Sequence, residues 1–108
     1  MKKVIRDGHV AVIYSPGFGA GWYTWNQLLD NAEQWIYDPM IVQILEEQSD
    51  NWLDQLVEYV TEEYPDAYAG GLDDLCFDWL PVGTRFRITE YDGSESIETE
   101  KNIPWMTA

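Results

Sequence analysis

Two alternating segments, each interrupted by an Asp-Gly pair, predict β-hairpins near the two ends of the chain. The first pair, Asp7-Gly8, separates two β-branched runs within residues 1–14. A two-residue Asp-Gly loop favours a type I′ turn, because Asp and Gly tolerate the positive φ angles that this turn requires. The loop length then sets the cross-strand partners, which are Arg6 with His9 and Ile5 with Val10.

The second pair, Asp92-Gly93, follows the alternating segment 84–91, in which Phe86 and Ile88 fall on one face. A two-residue loop predicts four cross-strand pairs: Ile88 with Ile97, Arg87 with Glu98, Arg85 with Glu100, and Glu90 with Glu95. One apolar and two opposite-charge pairs support this register, whereas the pair of like charges opposes it. We therefore predict the hairpin and leave its exact register open.

Helical periodicity predicts three helices between the hairpins, at residues 25–36, 39–48 and 50–64. Thr24 and Gln27 match a capping box at the start of the first helix. Asp38 and Pro39 fit the N-cap and first position of the second helix. The third helix has the clearest apolar stripe, which consists of Trp52, Leu53, Leu56, Val57, Val60 and Tyr64.

These elements predict a single α+β domain built on a small antiparallel sheet. An additional strand near 75–80 joins the two hairpins, and the helices pack on one face of the sheet. A chain of 108 residues is long enough to bury one hydrophobic core. The predicted organisation has four parts: a hairpin at 1–14, a Gly-rich loop at 15–23, an acidic helical region at 24–64, and a second β region at 75–108, within which 101–108 add an edge strand.

The negative charge of the chain is concentrated in the helical region. There are 20 Asp and Glu residues against 6 Lys and Arg, which gives a net charge of −14. No Lys or Arg occurs between Asp7 and Thr84. A field of this sign repels nucleic acid and anionic lipid. We therefore expect neither nucleic acid nor a membrane as a direct partner.

Four acidic residues recur at every fourth position of the predicted third helix: Asp50, Asp54, Glu58 and Glu62, with Glu47 shortly before them. The helical rise spaces such side chains about 6 Å apart along one face. Like charges at this spacing destabilise a helix by a few tenths of a kcal/mol per pair. The row has two interpretations: a surface that keeps the protein in solution, or an imitation of a phosphate backbone that binds a basic nucleic-acid groove.

The Gly-rich loop lies between a strand and a helix, where phosphate-binding loops occur. Its glycines lack the spacing of a known phosphate-binding motif, so a permissive connection is the preferred interpretation. An alternative is a small-ligand site at a junction between subunits, formed by Gly17, Gly19, Gly21, Trp22, Arg85 and Arg87. The two arginines are explained equally well by pairs across the second hairpin.

Candidate chemistry is sparse elsewhere. Cys76 is the one cysteine, so it forms no internal disulfide and no cysteine zinc site, and His9 has no triad partners at a recognisable spacing. We expect no catalytic residues, no metal and no cofactor. The basic residues at the start are followed by no apolar segment, and no run of 18 apolar residues occurs, so we expect a cytoplasmic protein.

Several strings of the chain are distinctive in combination: Ser15-Pro16-Gly17, Gly19-Ala20-Gly21-Trp22, Gly70-Gly71-Leu72-Asp73, the segment with Pro81, Gly83, Thr84 and Phe86-Arg87-Ile88, and Glu90-Tyr91-Asp92-Gly93-Ser94-Glu95-Ser96. Together they resemble a group of small proteins encoded by tailed phages and prophages. This resemblance implies an accessory role inside a bacterial host cell. Phage accessory proteins of this size and acidity include inhibitors of host defence, several of which imitate nucleic acid.

Three functional hypotheses follow. The first is a non-enzymatic, acidic inhibitor of the anti-CRISPR or anti-restriction type. It would bind a host protein with a basic nucleic-acid groove through Glu47, Asp50, Asp54, Glu58 and Glu62. The second is an oligomeric small-ligand binder that sequesters a nucleotide immune signal. The third is a structural or regulatory protein whose charge serves only solubility.

Overall fold

The computed structural model describes residues 2–17, 21–27, 29, 32–67 and 71–99. Within these ranges the chain is an α+β protein with two antiparallel sheets, two α-helices and two short 3-10 helices. The elements in chain order are β1 (Ile5–Arg6), β2 (His9–Tyr14), a 3-10 helix (Ala32–Ile36), α1 (Pro39–Glu47), α2 (Trp52–Glu63), a second 3-10 helix (Leu72–Asp74), β3 (Cys76–Pro81), β4 (Phe86–Tyr91) and β5 (Ser94–Thr99).

The first hairpin and the additional strand form a three-stranded sheet in the order β1-β2-β3. Asp7 and Gly8 have φ angles of 51° and 76°, as a type I′ turn requires. The predicted partners, Arg6 with His9 and Ile5 with Val10, are confirmed. β3 pairs antiparallel with the full length of β2, which makes β2 the central strand.

The second hairpin forms a separate two-stranded sheet, so the prediction of one common sheet is wrong. The hairpin packs on the face of the three-stranded sheet instead, because its apolar residues Phe86, Ile88 and Ile97 bury themselves against Val12. The register of the hairpin is the one that its Asp-Gly loop predicts, including the like-charged pair of Glu90 and Glu95. Glu100, the predicted partner of Arg85, and the predicted edge strand at 101–108 lie outside the described residues.

β2 is buried on both faces because it lies between two layers. Ala11 and Ile13 pack with apolar residues of α1 and α2, among them Ile41 and Leu56. Val12 has the opposite orientation, as the period of a strand requires, and packs with Ile36, Tyr37, Phe86, Ile88 and Ile97. The α-helices and the second hairpin therefore cover opposite faces of the three-stranded sheet.

The second predicted helix begins where its capping residues indicate. The Asp38 carboxylate accepts hydrogen bonds from the backbone amides of Met40 (2.9 Å) and Ile41 (3.3 Å), and Pro39 is the first residue of α1. α2 spans fewer residues than the predicted 50–64. No helix in the described ranges is long and apolar enough to cross a membrane.

The prediction of an α-helix over 25–36 is wrong. Residues 24–27 form turns, and the helical segment is the 3-10 helix Ala32–Ile36; Leu28, Asp30 and Asn31 lie outside the described residues. Thr24 does not begin a helix: its backbone amide and hydroxyl both donate to the carboxylate of Glu95, at 2.7 and 2.9 Å. A contact from a strand 71 positions away thus takes the backbone amide that Gln27 would bind in a capping box.

Candidate functional site

The five acidic residues singled out by the sequence are all exposed, but α2 carries only three of them. Asp54, Glu58 and Glu62 lie on one face of α2, whose rise places Asp54 and Glu62 about 12 Å apart along the axis. Asp50 lies in the turn before the helix, and Glu47 is the last residue of α1. The helix therefore carries three of the four residues expected on it, and the connection between α1 and α2 extends the row. We call Glu47, Asp50, Asp54, Glu58 and Glu62 together the acidic row.

The acidic row has no neutralising partner in the part of the chain that the structure describes. Two ion pairs occur there, one between Arg6 and Glu46 and one between Arg87 and Glu98. Neither involves a member of the row. The side chain of Glu47 accepts a hydrogen bond from Gln43 at 3.3 Å, which leaves its charge in place. The row thus presents an unbalanced negative surface.

Two apolar side chains of α2 lie exposed beside the acidic row. Leu53 and Val57 are 36% and 45% accessible, although the sequence places both in the core stripe of this helix. Leu56 and Val60 are the residues of the stripe that are fully buried. Since Leu53 and Val57 each precede an acid of the row by one position, α2 combines apolar and acidic groups on its outer surface.

A buried carboxylate that the sequence analysis did not single out binds the first and last residues of the Gly-rich loop. Glu95 is 1% exposed, and its Oε1 accepts a hydrogen bond from the amide of Ser15 at 2.8 Å. Its Oε2 accepts from the amides of Tyr23 (2.9 Å) and Thr24 (2.7 Å) and from the Thr24 hydroxyl (2.9 Å). The unfavourable pairing of Glu90 with Glu95 was a sign in the sequence that these two acids have different surroundings.

Two glycines of the loop are required by close contacts. A Cβ atom on Gly17 would lie 2.1 Å from Oδ2 of Asp74, and one on Gly21 would lie 2.3 Å from Oγ1 of Thr24. Trp22 is 2% exposed and donates its indole N–H to the carbonyl oxygen of Trp35 at 2.8 Å. These contacts support the interpretation of the loop as a structural connection; Gly19 lies outside the described residues.

The residues of the alternative ligand site are not brought together. Arg85 and Arg87 line a cleft of about 540 Å³ beside the first 3-10 helix, whereas Gly17, Gly21 and Trp22 do not line it. Tyr23, the last residue of the Gly-rich loop, lines the cleft. Arg87 also forms the predicted pair with Glu98 across the hairpin.

A second buried carboxylate belongs to the helices. The Oδ2 atom of Asp38 accepts hydrogen bonds from the hydroxyls of Tyr59 and Tyr64, while Oδ1 caps α1. Burial, and then the hydrogen bond to Asp38, raise the pKa of both tyrosines. This carboxylate has a structural role, because its hydrogen bonds join α1 to α2.

The remaining candidates for chemistry have ordinary surroundings. Burial raises the pKa of the Cys76 thiol, which keeps it protonated at neutral pH. The Nδ1 atom of His9 lies 2.9 Å from the backbone oxygen of Asp7 at the hairpin turn. Among the described residues, no group of three or more His, Cys, Asp or Glu side chains is arranged to hold a metal ion.

Comparisons with protein-family models, curated proteins and solved structures find no match for this chain. The resemblance to phage proteins therefore rests on the sequence strings given above. Two surfaces of the molecule are candidates for binding, the acidic row and the arginine-lined cleft.

Proposed function

We propose that this protein is a non-enzymatic binding protein whose acidic row occupies a basic, nucleic-acid-binding groove of a partner protein. The observation that carries the proposal is the row itself, an exposed set of carboxylates that form no ion pair among the described residues.

The spacing of the row suits a surface that binds phosphates. The carboxylates of α2 recur about every 6 Å along the helix axis. Each strand of duplex DNA presents a phosphate about every 3.4 Å of its axis. Three carboxylates on α2, extended by Asp50 and Glu47, thus reproduce the charge of a short stretch of backbone at lower density.

The row also carries an energetic cost that the fold does not relieve. Each pair of like charges at i and i+4 destabilises the helix by a few tenths of a kcal/mol. Surface helices usually interleave lysine or arginine with acids, and α2 has none. Binding a cationic partner would turn this repulsion into attraction.

The exposed apolar side chains add contact area to the charged surface. Leu53 and Val57 lie one position before Asp54 and Glu58 along α2. Arginine and lysine side chains have apolar stems that pack against such groups while their charged ends reach carboxylates. The resemblance to phage accessory proteins makes nucleic-acid-handling complexes of a bacterial host the first partners to test.

Charge reversal on α2 tests the proposal. In the variant Asp54→Lys/Glu58→Lys the net charge of the row changes by four units. We expect the immobilised variant to retain a lysate protein at least about tenfold less than the parent does in low salt. A bacterial lysate is the probe, and quantitative mass spectrometry of the eluates is the measurement.

The matched control is Glu33→Lys/Asp73→Lys, which makes the same change in charge on two exposed acids of the 3-10 helices. The control should retain the same partner as the parent, and moderate salt should release it from both. If the two double variants retain every lysate protein equally, the acidic row is not a binding surface and the proposal fails.

A further inference from the structure

The arginine-lined cleft has the size of a small-molecule site. Its volume of about 540 Å³ lies within the range of roughly 300–1,000 Å³ that is typical of such sites. It opens between the first 3-10 helix and the start of β4, and no member of the acidic row lines it. The cleft is therefore a feature separate from the proposed partner surface.

Part of the lining of the cleft is apolar or aromatic. Ile36 and Tyr37 are buried, and Phe86 and Ile88 are half-buried. Flat aromatic side chains favour the stacking of a planar ring, and the aliphatic ones exclude water from its edge. A heteroaromatic base fits this lining better than a purely polar ligand does.

Two arginines line the cleft, Arg87 of β4 and Arg85 two residues before it. Nε and Nη2 of Arg87 both donate to a single oxygen of Glu98, at 3.0 and 2.8 Å, which fixes the plane of the group. Within the described residues its Nη1 atom has no acceptor, and the side chain is 68% exposed. Guanidinium groups match the geometry of the oxygens of a phosphate.

Two other residues that line the cleft can accept hydrogen bonds. Glu33 of the first 3-10 helix and Gln27 of the preceding turn both line the cleft and are exposed. A carboxylate accepts hydrogen bonds but donates none when it is ionised. A ligand that spans the cleft therefore needs an anionic end for the arginines and a donor, such as an amino group, for Glu33.

The basic residues of the chain are concentrated around this cleft. A neighbouring depression of about 200 Å³ shares Tyr37, Thr84 and Phe86 with it and is lined by Lys3. The Lys3 ammonium lies 4.5 Å from the centre of the Tyr37 ring. Three of the six Lys and Arg residues thus line two adjoining depressions in a chain of net charge −14.

We propose that the cleft binds a nucleoside monophosphate whose base carries an exocyclic amine. The base would stack on Tyr37 and Phe86, the phosphate would bind Arg85 and Arg87, and the amine would donate to Glu33. This inference goes beyond the proposed function, because it uses a different surface and a different class of ligand.

Calorimetric titration of the protein with adenosine monophosphate tests the inference. We expect binding that weakens at least about tenfold in Arg85→Gln/Arg87→Gln, because the phosphate then loses its charged donors. Ribose 5-phosphate, which lacks the base, should bind more weakly than adenosine monophosphate. Glu33→Gln should weaken the binding of the nucleotide and leave that of ribose 5-phosphate unchanged.

The matched control is Arg6→Gln. Arg6 also forms an exposed ion pair with a glutamate, Glu46, but it does not line the cleft. This variant should bind the nucleotide within about twofold of the parent, since it removes a similar surface pair. Circular dichroism checks that each variant is folded.

Two outcomes would overturn the inference. One is the absence of binding of adenosine monophosphate at millimolar concentration. The other is equal affinity in the parent and in the double arginine variant. The Asp54→Lys/Glu58→Lys variant should bind the nucleotide as the parent does, so the partner surface and the cleft succeed or fail separately.

Discussion

Replacing Glu95 by glutamine should destabilise the protein by about 2–4 kcal/mol, although the change removes only one charge. The Oε2 atom of Glu95 accepts three hydrogen bonds and Oε1 accepts one, from Ser15. Glutamine has one acceptor oxygen, which can keep the three bonds at the Oε2 position. Its amide nitrogen would then face the Ser15 N–H, donor against donor.

The magnitude follows from that mismatch. Leaving a buried donor unsatisfied costs about 1–3 kcal/mol, and the three retained bonds weaken because they lose a charged acceptor. An opposing effect is the desolvation of the carboxylate in the folded state, which glutamine relieves. Because Glu95 accepts four hydrogen bonds, we expect the lost bonds to outweigh the relieved desolvation.

Urea unfolding monitored by tryptophan fluorescence measures this effect, since Trp22 and Trp35 are buried. Amide exchange at Ser15, Tyr23 and Thr24 should also accelerate relative to the strand amides of β2. The matched control is Glu90→Gln, on the opposite strand of the same pair. Glu90 is exposed and accepts one hydrogen bond, from the amide of Gly93, which glutamine can also accept. The free energy of unfolding of the Glu90→Gln protein should therefore differ from that of the parent by less than about 0.5 kcal/mol. A Glu95→Gln protein as stable as the parent would refute the assignment of Glu95 as the anchor of the loop.

Two further predictions concern stability. Gly21→Ala should destabilise the fold by about 1–3 kcal/mol in urea unfolding, because the new Cβ meets the Thr24 hydroxyl. In Gly8→Ala nothing lies within 4 Å of the new Cβ and only the positive φ is strained, so this variant should lose about 1–2 kcal/mol. Equal protection of the Thr24 amide from exchange in both variants would contradict this reasoning. Burial and the hydrogen bond to Asp38 raise the pKa of Tyr64 above its value in the unfolded chain. The stabilisation from this group is therefore complete below about pH 10 and is lost as the pH rises further. Tyr64→Phe should flatten the decline of the unfolding free energy above about pH 10, and an unchanged slope would contradict the coupling.

Local turn chemistry made both hairpins predictable from the sequence. Each Asp-Gly pair adopts positive φ at both residues, and this fixes the register of its two strands. The start of α1 was predictable for a similar reason, since Asp38 and Pro39 act within the helix that they begin. Signals of this kind depend on neighbours in the sequence and not on tertiary contacts.

The first predicted helix failed because a tertiary contact outweighs its local signal. Thr24 matches a capping box, but the carboxylate of Glu95 takes its amide and hydroxyl. The separation of the two sheets was unpredictable for a comparable reason. The alternating apolar residues of β4 are compatible both with a strand of the first sheet and with a strand that packs on its face. Of the candidate sites, the acidic row could be read from spacing, whereas the cleft required the fold to bring Tyr37 beside Arg87.

If the acidic row occupies a basic groove, as we propose, nucleic acid competes with it for the same partner. The test is the displacement of the retained lysate partner from the immobilised protein by a duplex DNA oligonucleotide at constant salt. We expect duplex DNA to release this partner in proportion to its concentration, and the Asp54→Lys/Glu58→Lys protein to retain no such partner. Retention that duplex DNA leaves unchanged would refute the proposal, because the partner would then bind through a surface that nucleic acid does not use.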